Sequence, residues 1–242
     1  MTRPPADLRL YLVTDTRLCA GLGVVETVRR AVAGGVTIVQ LRDPAAGDEQ
    51  IVELGRALVA VLEPAGVPLI VNDRVHLVEA IGAQGAHVGQ DDLDPVAARA
   101  ILGPGAILGL SVHDRQQLDA AGALPPGTID HLGIGPLRHT SSKLDHAPVR
   151  GLEHLRDLAA ASPWPCVAIG GVTVADLPDL RAAGLAGVAV ISAICGTPDP
   201  TASAAQLRAA WDSDAWDADA WNSVAWDSDA RDSPGQGASP TG

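Results

Sequence analysis

Residues Val167–Ser192 read VAIGGVTVADLPDLRAAGLAGVAVIS, a full strand–helix–strand unit. Val167–Gly171 is a short β-branched run closed by a glycine pair. Thr173 offers an N-cap, and Asp176 places an acid in the first helical turn, where it complements the helix dipole. The helix Val174–Ala182 ends near Gly184, where a left-handed residue is wanted. Val188-Ala189-Val190-Ile191 is then continuously apolar, the pattern of a strand buried on both faces of a parallel sheet.

The same alternation runs back to the N-terminus. Strands are expected at Leu10–Asp15, Thr37–Arg42, Leu69–Asp73, Ala86–Gly89, Ile107–Ser111, His131–Gly135, Val167–Gly171 and Val188–Ser192. Helices are expected at Val24–Ala33, Asp48–Glu63, Arg74–Ile81, Pro95–Leu102, Arg115–Ala121, Gly151–Ala160, Val174–Ala182 and Thr201–Ala210. Gly34-Gly35, Gly82 and Gly122 should end helices as Gly184 does. Eight strand–helix repeats favour a closed barrel over an open dinucleotide-binding sheet, and no G-x-G-x-x-G follows the first strand. The expected class is α/β, a (β/α)8 TIM barrel forming a single domain over residues 1–210.

Phe is absent and Tyr11 is the only tyrosine, so Val, Leu, Ile and Ala must fill the barrel. From Trp211 to Ala230 the chain repeats pentads such as Trp-Asp-Ser-Asp-Ala. Five residues turn about 140° around a helix, and an odd period alternates faces of a strand, so the tryptophans form no stripe. Residues 211–242 are therefore expected to be a disordered acidic tail of low complexity. The alternative is a Trp-based docking motif for a partner. Every tryptophan except Trp164 lies in this segment and is expected outside the core.

The net charge of −12 argues against nucleic acid and anionic membranes as partners. It leaves small anionic substrates open, because a few local cations outweigh a global field. Cys19, Cys166 and Cys195 are odd in number and widely spaced, which fits reduced thiols in the cytoplasm. No signal segment opens the chain, and no apolar run reaches the roughly 20 residues of a membrane span. Homo-oligomerisation is left open.

In such a barrel, chemistry gathers at the C-terminal ends of the strands. Asp73 and Asp92 follow neighbouring strands about 4.8 Å apart and can converge on Mg2+, a cation usually held by one or two carboxylates and substrate phosphates. The structural alternative is that Asp92 caps the next helix and Asp73 pairs with Arg74. Arg42 offers a fork for phosphate, and Lys143 a point charge in a hydroxyl-rich loop containing Thr140 and Ser142; either could instead form a surface ion pair. Gly170-Gly171 and the Ile191-Ser192-Ala193 turn match the phosphate site that barrels form after strands seven and eight, although glycine pairs also serve as plain turns. The rim then holds two anionic sites, as for two phosphorylated substrates meeting head-on. His76, His87 and His131 are expected to be structural.

Seven motifs occur in order: Tyr11-Leu12-Val13-Thr14-Asp15, Gln40-Leu41-Arg42, Asn72-Asp73-Arg74, His87-Val88-Gly89-Gln90-Asp91-Asp92, Gly109-Leu110-Ser111, Gly133-Ile134-Gly135-Pro136 and Ala168-Ile169-Gly170-Gly171. Together they resemble the thiamine-phosphate synthase family. The resemblance implies joining an aminopyrimidine methyl diphosphate to a hydroxyethylthiazole phosphate, with Mg2+ and release of pyrophosphate. It implies that Gln40, Arg42, Asn72, Ser111 and Lys143 bind the pyrimidine diphosphate, with Leu41, Asp43 and Pro44 in the same stretch. Asp73 and Asp92 would hold Mg2+. Thr140, Ser141, Ser142, Gly171, Ile191 and Ser192 would bind the thiazole phosphate. Ser111, Lys143 and Arg42 would stand closest to the chemistry, which the resemblance makes dissociative. The chain departs from the family's Q-x-R-x-K at Pro44, and it reads Thr140-Ser141-Ser142-Lys143 where the family has T-x-T-K. A related thiazole tautomerase, which uses a histidine where this chain has Pro136, is one rival reading. A non-catalytic barrel binding a thiamine precursor or a partner is another.

Overall fold

The computed structural model describes residues 6–139 and 149–213. Eight parallel strands close in sequence order: β1 Leu10–Val13, β2 Ile38–Leu41, β3 Leu69–Asn72, β4 Gly85–Val88, β5 Ile107–Val112, β6 His131–Ile134, β7 Cys166–Ile169 and β8 Gly187–Val190. The helices are α1 Val24–Ala33, α2 Asp48–Leu62, α3 Val78–Ile81, α4 Pro95–Leu102, α5 Arg115–Gly122, α6 Gly151–Ala161, α7 Leu177–Ala182 and α8 Pro200–Asp212. The eight-fold strand–helix reading holds.

Side chains alternate across each strand and build two apolar layers. Tyr11, Val13, Ile38, Ile70, Val167 and Ala189 fill the barrel interior. Leu10, Leu12, Val39, Leu41, Leu69 and Val71 face outward into a larger layer under the helices. The alternation decides which strand residues can reach a ligand: Gln40 points in, Leu41 points out.

Most strands stop short of the expected ends, so Asp15, Arg42, Asp73, Gly89 and Ser192 stand in the loops that follow. Two expected helices are interrupted. Val75–Leu77 and Val174–Asp176 are 310 turns that precede α3 and α7. Pro178, lacking an N–H, fits the first turn of α7. Gly35, Gly82 and Gly184 take the left-handed conformation expected of them, but Gly34 does not, with φ −86°. Its lack of a side chain serves packing instead: a Cβ there would lie 2.4 Å from the Thr201 carbonyl, where α8 crosses α1. Gly122 is still helical, and Ala123 closes α5 in the right-handed region.

Trp211 corrects the expectation that tryptophans from 211 onward lie outside the core. Helix α8 runs to Asp212, and Trp211 is 4% exposed within the outer apolar layer. The packed face of α8 thus extends beyond the expected boundary at 210. The remainder of the tail, residues 214–242, lies outside the described residues. Cys19, Cys166 and Cys195 are buried free thiols, and Cys195 Sγ donates to the Val13 carbonyl at 3.8 Å. No described helix is long and apolar enough to cross a membrane.

Candidate active site

A cavity of about 150 Å³ opens among the C-terminal strand ends. Gln40 and Arg42 reach it from β2 and its loop, Asn72 from β3, His87 from β4 and Ser111 from β5. Gly170-Gly171 and Ile191–Ala193 close it after β7 and β8. No carboxylate is among its described lining residues, so its polar wall suits an anion better than a cation.

Arg42 is held by its backbone: its N–H donates to Thr14 Oγ1 at 2.9 Å, and Thr14 Oγ1 donates to its carbonyl at 3.3 Å. Its guanidinium has no acidic partner at ion-pair distance among the described residues, so the surface-salt-bridge alternative loses support. Arg74, by contrast, pairs with Asp48 at 3.3 Å and caps the Ala46 carbonyl.

That pairing matters for the two acids. Helix α4 is capped by Asp94, whose carboxylate accepts from the Val96 and Ala97 amides. Asp92 therefore does not cap α4, and Arg74 pairs with Asp48. Asp73 Oδ2 accepts from Asn72 Nδ2 at 2.6 Å, and its amide donates to the His87 carbonyl at 2.9 Å across the β3–β4 boundary. Among the described residues it is the non-glycine residue with positive φ, 58°, a costly conformation that clusters at functional sites. Asp92 Oδ2 accepts from the Gly89 amide at 2.7 Å, and a Cβ at Gly89 would meet that oxygen at 2.8 Å. Two hard oxygen donors on adjacent strand ends fit a divalent cation completed by substrate phosphate. Among the described residues no cluster of three or more metal-ligating side chains forms, so protein ligands alone do not complete such a site.

The turn after β7 is built by its glycines. Gly170 and Gly171 have φ of 92° and 69°. A Cβ on Gly170 would lie 2.5 Å from Pro136 Cβ, and one on Gly171 3.0 Å from Arg138 Cβ. Arg138 forms a forked ion pair with Asp176, which also accepts from the Thr173 amide and hydroxyl at 2.8 Å. The guanidinium holds the Asp176 carboxyl below the usual range. Thr173 and Asp176 thus fix the start of the helical segment as the sequence suggested. After β8 the Ile191 carbonyl accepts from the Ile194 and Cys195 amides, turning Ser192 toward the cavity.

Against this geometry, a sequence model of the family described as thiamine monophosphate synthase matches residues 10–194. The chain belongs to the thiamine monophosphate synthase family. It is 50% identical over 204 residues to a thiamine-phosphate synthase of Azorhizobium caulinodans, covering 84% of this chain and 95% of the relative. A thiamine-phosphate synthase of Xanthobacter autotrophicus is 48% identical over 206 residues, covering 85% and 96%. Among solved structures, a thiamine phosphate pyrophosphorylase from Pyrococcus furiosus superposes with a TM-score of 0.75 at 32% identity, covering 85% of this chain and 96% of that one.

Of the residues that the family resemblance singles out, Gln40, Arg42, Asn72, Ser111, Gly171, Ile191 and Ser192 line one cavity. Leu41 does not; it is 1% exposed in the outer apolar layer. Asp43 and Pro44 stand in an exposed turn, with Asp43 Oδ1 accepting from the Ala45 amide, and do not line the cavity. Thr140, Ser141, Ser142 and Lys143 lie outside the described residues.

Sequence reasoning undervalued two histidines. His87 and His131, expected to be structural, both line the cavity, whereas His76 is exposed and pairs with Asp48. His87 Nε2 shares a 2.9 Å hydrogen bond with Ser111 Oγ. His113 joins them, its Nδ1–H donating to the Gly135 carbonyl at 2.8 Å. The signal lay in Gly109 and Gly133, two inward positions without side chains on the neighbouring strands.

Proposed function

We propose that this chain is a transferase, a thiamine-phosphate synthase that joins an aminopyrimidine methyl diphosphate to a thiazole phosphate and releases pyrophosphate. The observation that carries the reading is one cavity that, among the described residues, has no acid in its lining and bears on one wall the guanidinium of Arg42, which makes no ion pair there, with the amide turns of Gly170-Gly171 and Ile191–Ala193 on another. These suit two anionic groups held apart in one space. The tautomerase reading lacks its histidine, since Pro136 stands at that position.

In the reaction the methylene C–O bond breaks and its electron pair leaves with pyrophosphate. The ring nitrogen of the thiazole then donates its lone pair to the methylene cation, forming the C–N bond. No nucleophilic side chain is required; the chain orients two partners and offsets charge on the leaving group. Arg42 binds the diphosphate, joined by Lys143. Gln40, Asn72 and Ser111 position the pyrimidine end. Thr140, Ser141, Ser142, Gly171, Ile191 and Ser192 hold the thiazole phosphate. Asp73 and Asp92 would hold Mg2+, which supplies charge neutralisation at the departing diphosphate.

Purified protein supplied with both substrates and Mg2+ should release pyrophosphate and form thiamine phosphate in equal amounts. No pyrophosphate above background would overturn the reading, and thiazole isomerisation without pyrophosphate would point to the tautomerase.

A further inference from the structure

Below the anion-binding rim the barrel narrows onto three rings. His131, the first residue of β6, is 1% exposed yet lines the cavity. Tyr11 and His87 flank it, with ring centroids 5.9 and 5.7 Å away. Gly133 stands above His131 on the same face of β6, and with no side chain it leaves a shaft down to the imidazole.

Among the described residues, neither Nδ1 nor Nε2 of His131 has a hydrogen-bond partner. The hydrogen bonds its neighbours make run to other groups: Gln40 Nε2 donates to Tyr11 Oη at 3.0 Å, and His87 Nε2 is bonded to Ser111 Oγ. Burial pushes the His131 imidazole down to about 4, so near neutral pH it is uncharged, with one N–H donor and one lone-pair acceptor. Buried polar groups are nearly always bonded, so a sealed imidazole with both capacities unused, facing a cavity, is built for something that enters it. A phosphate is not that guest, because Arg42 and the amide turns serve anions at the rim. A flat, uncharged ring with polar edges is.

We infer that His131 is a specificity-determining residue that reads a heteroaromatic amine ring inserted edge-first into the barrel, one imidazole nitrogen bonding a ring nitrogen or the exocyclic amine. This rests on the synthase reading, in which one substrate carries such a ring, and adds a recognition residue that the family motifs do not contain.

The test compares wild type, His131→Phe and His131→Gln with the pyrimidine diphosphate and with an analogue whose ring nitrogen is replaced by CH. Wild type should prefer the natural ring by at least about tenfold in kcat/KM, the value of one hydrogen bond to a buried partner. His131→Phe should lose that preference while its KM for the thiazole phosphate stays unchanged, and His131→Gln should restore part of it. Should His131→Phe fold poorly, wild-type imidazole nitrogen NMR decides: the His131 signals, assigned with His131→Gln, should move on adding a free aminopyrimidine and not on adding pyrophosphate. Unmoved signals, or undiminished preference in a folded His131→Phe, would overturn the inference. Absence of pyrophosphate release by wild type would instead overturn the synthase reading, and the binding titration would still judge His131 by itself.

Discussion

His87 and His131 meet across a glycine: their ring centroids are 5.7 Å apart, on strands separated by β5, and the contact passes over Gly109. A Cβ at Gly109 would stand 2.3 Å from His87 Nδ1 and 2.4 Å from His131 Nε2. Gly109→Ala should therefore destabilise the barrel by about 1–3 kcal/mol, as overpacking does. Adding His131→Ala should recover part of that loss, a non-additivity expected of residues in contact. Urea unfolding of the two single variants and the double variant measures it; strict additivity would show that the clash is relieved elsewhere.

The same buried ring makes stability depend on pH. Burial disfavours the charged form and pushes its folded pKa down to about 4 from the ordinary imidazole value of 6.5, and no carboxylate lines the cavity among the described residues to offset this. The unfolded chain then binds a proton that the folded chain refuses. Stability is fully present above about pH 6.5 and declines as pH falls toward about 4, by up to about 3 kcal/mol. His131→Phe should flatten that decline and leave the profile above neutrality alone. Equal slopes for variant and wild type between about pH 6.5 and about pH 4.5 would exclude His131 as the source.

Asp73 combines a positive φ with a carboxylate on the proposed metal, and two substitutions separate these roles. Asn tolerates the left-handed region almost as Asp does. Asp73→Asn should therefore keep the melting temperature while raising the Mg2+ concentration needed for half-maximal turnover. Asp73→Ala should do both harms, adding about 1–2 kcal/mol of backbone cost. Asp92→Asn should mimic Asp73→Asn. Wild-type Mg2+ dependence in both Asn variants would remove the metal assignment.

Trp211 sets where the chain can be cut. It is buried with Ala204 and Leu207 on α8, and its carbonyl accepts from the Arg181 guanidinium. Ending the chain after Ala210 should cost about 3–5 kcal/mol, the usual loss for a buried Trp, lowering the melting temperature by about 6 °C or more for a domain of this size. Ending it after Ser213 should leave melting and activity unchanged, because a pentad repeat offers no continuous apolar face. Calorimetry of both truncations checks this, and equal melting would show that Trp211 contributes nothing.

These residues also mark what was legible in the sequence. Helices α1 and α4 run as their apolar period and punctuation predict, and the eight-fold alternation gives the barrel. Arg42, Ser111 and the Gly170-Gly171 turn could be placed at the rim because strand ends are local signals. The inward-facing histidines could not, since facing depends on a register between strands and on Gly109 and Gly133 vacating their space. Trp211 was masked by the repeat it opens, although Ala204, Leu207 and Trp211 keep the i, i+3, i+7 spacing of a buried helical face. Leu41 shows the converse: motif membership placed it at the ligand, and side-chain alternation turns it away.

Pro44 gives the last prediction. The family resemblance supplies a lysine two residues after Arg42, and this chain has Pro44 there, in an exposed turn whose first residue, Asp43, accepts from the Ala45 amide. A departing diphosphate gathers negative charge as its bond breaks, so each absent cation removes transition-state stabilisation. In the proposed reading, Arg42, Lys143 and Mg2+ would carry what the family resemblance spreads over one more group. Pro44→Lys should lower the KM for the pyrimidine diphosphate, or the Mg2+ requirement, by about tenfold, the lower end for a charge-assisted contact worth about 1.5–3 kcal/mol. Two effects oppose it: an exposed ammonium is screened by solvent, and losing proline loosens the turn. Pro44→Ala controls for the second, since it frees the backbone without adding charge. Measuring kcat/KM for both variants across a Mg2+ titration separates charge from flexibility. If they behave alike, a side chain at 44 does not reach the diphosphate, and the turn after β2 holds position 44 away from the site that Arg42 faces.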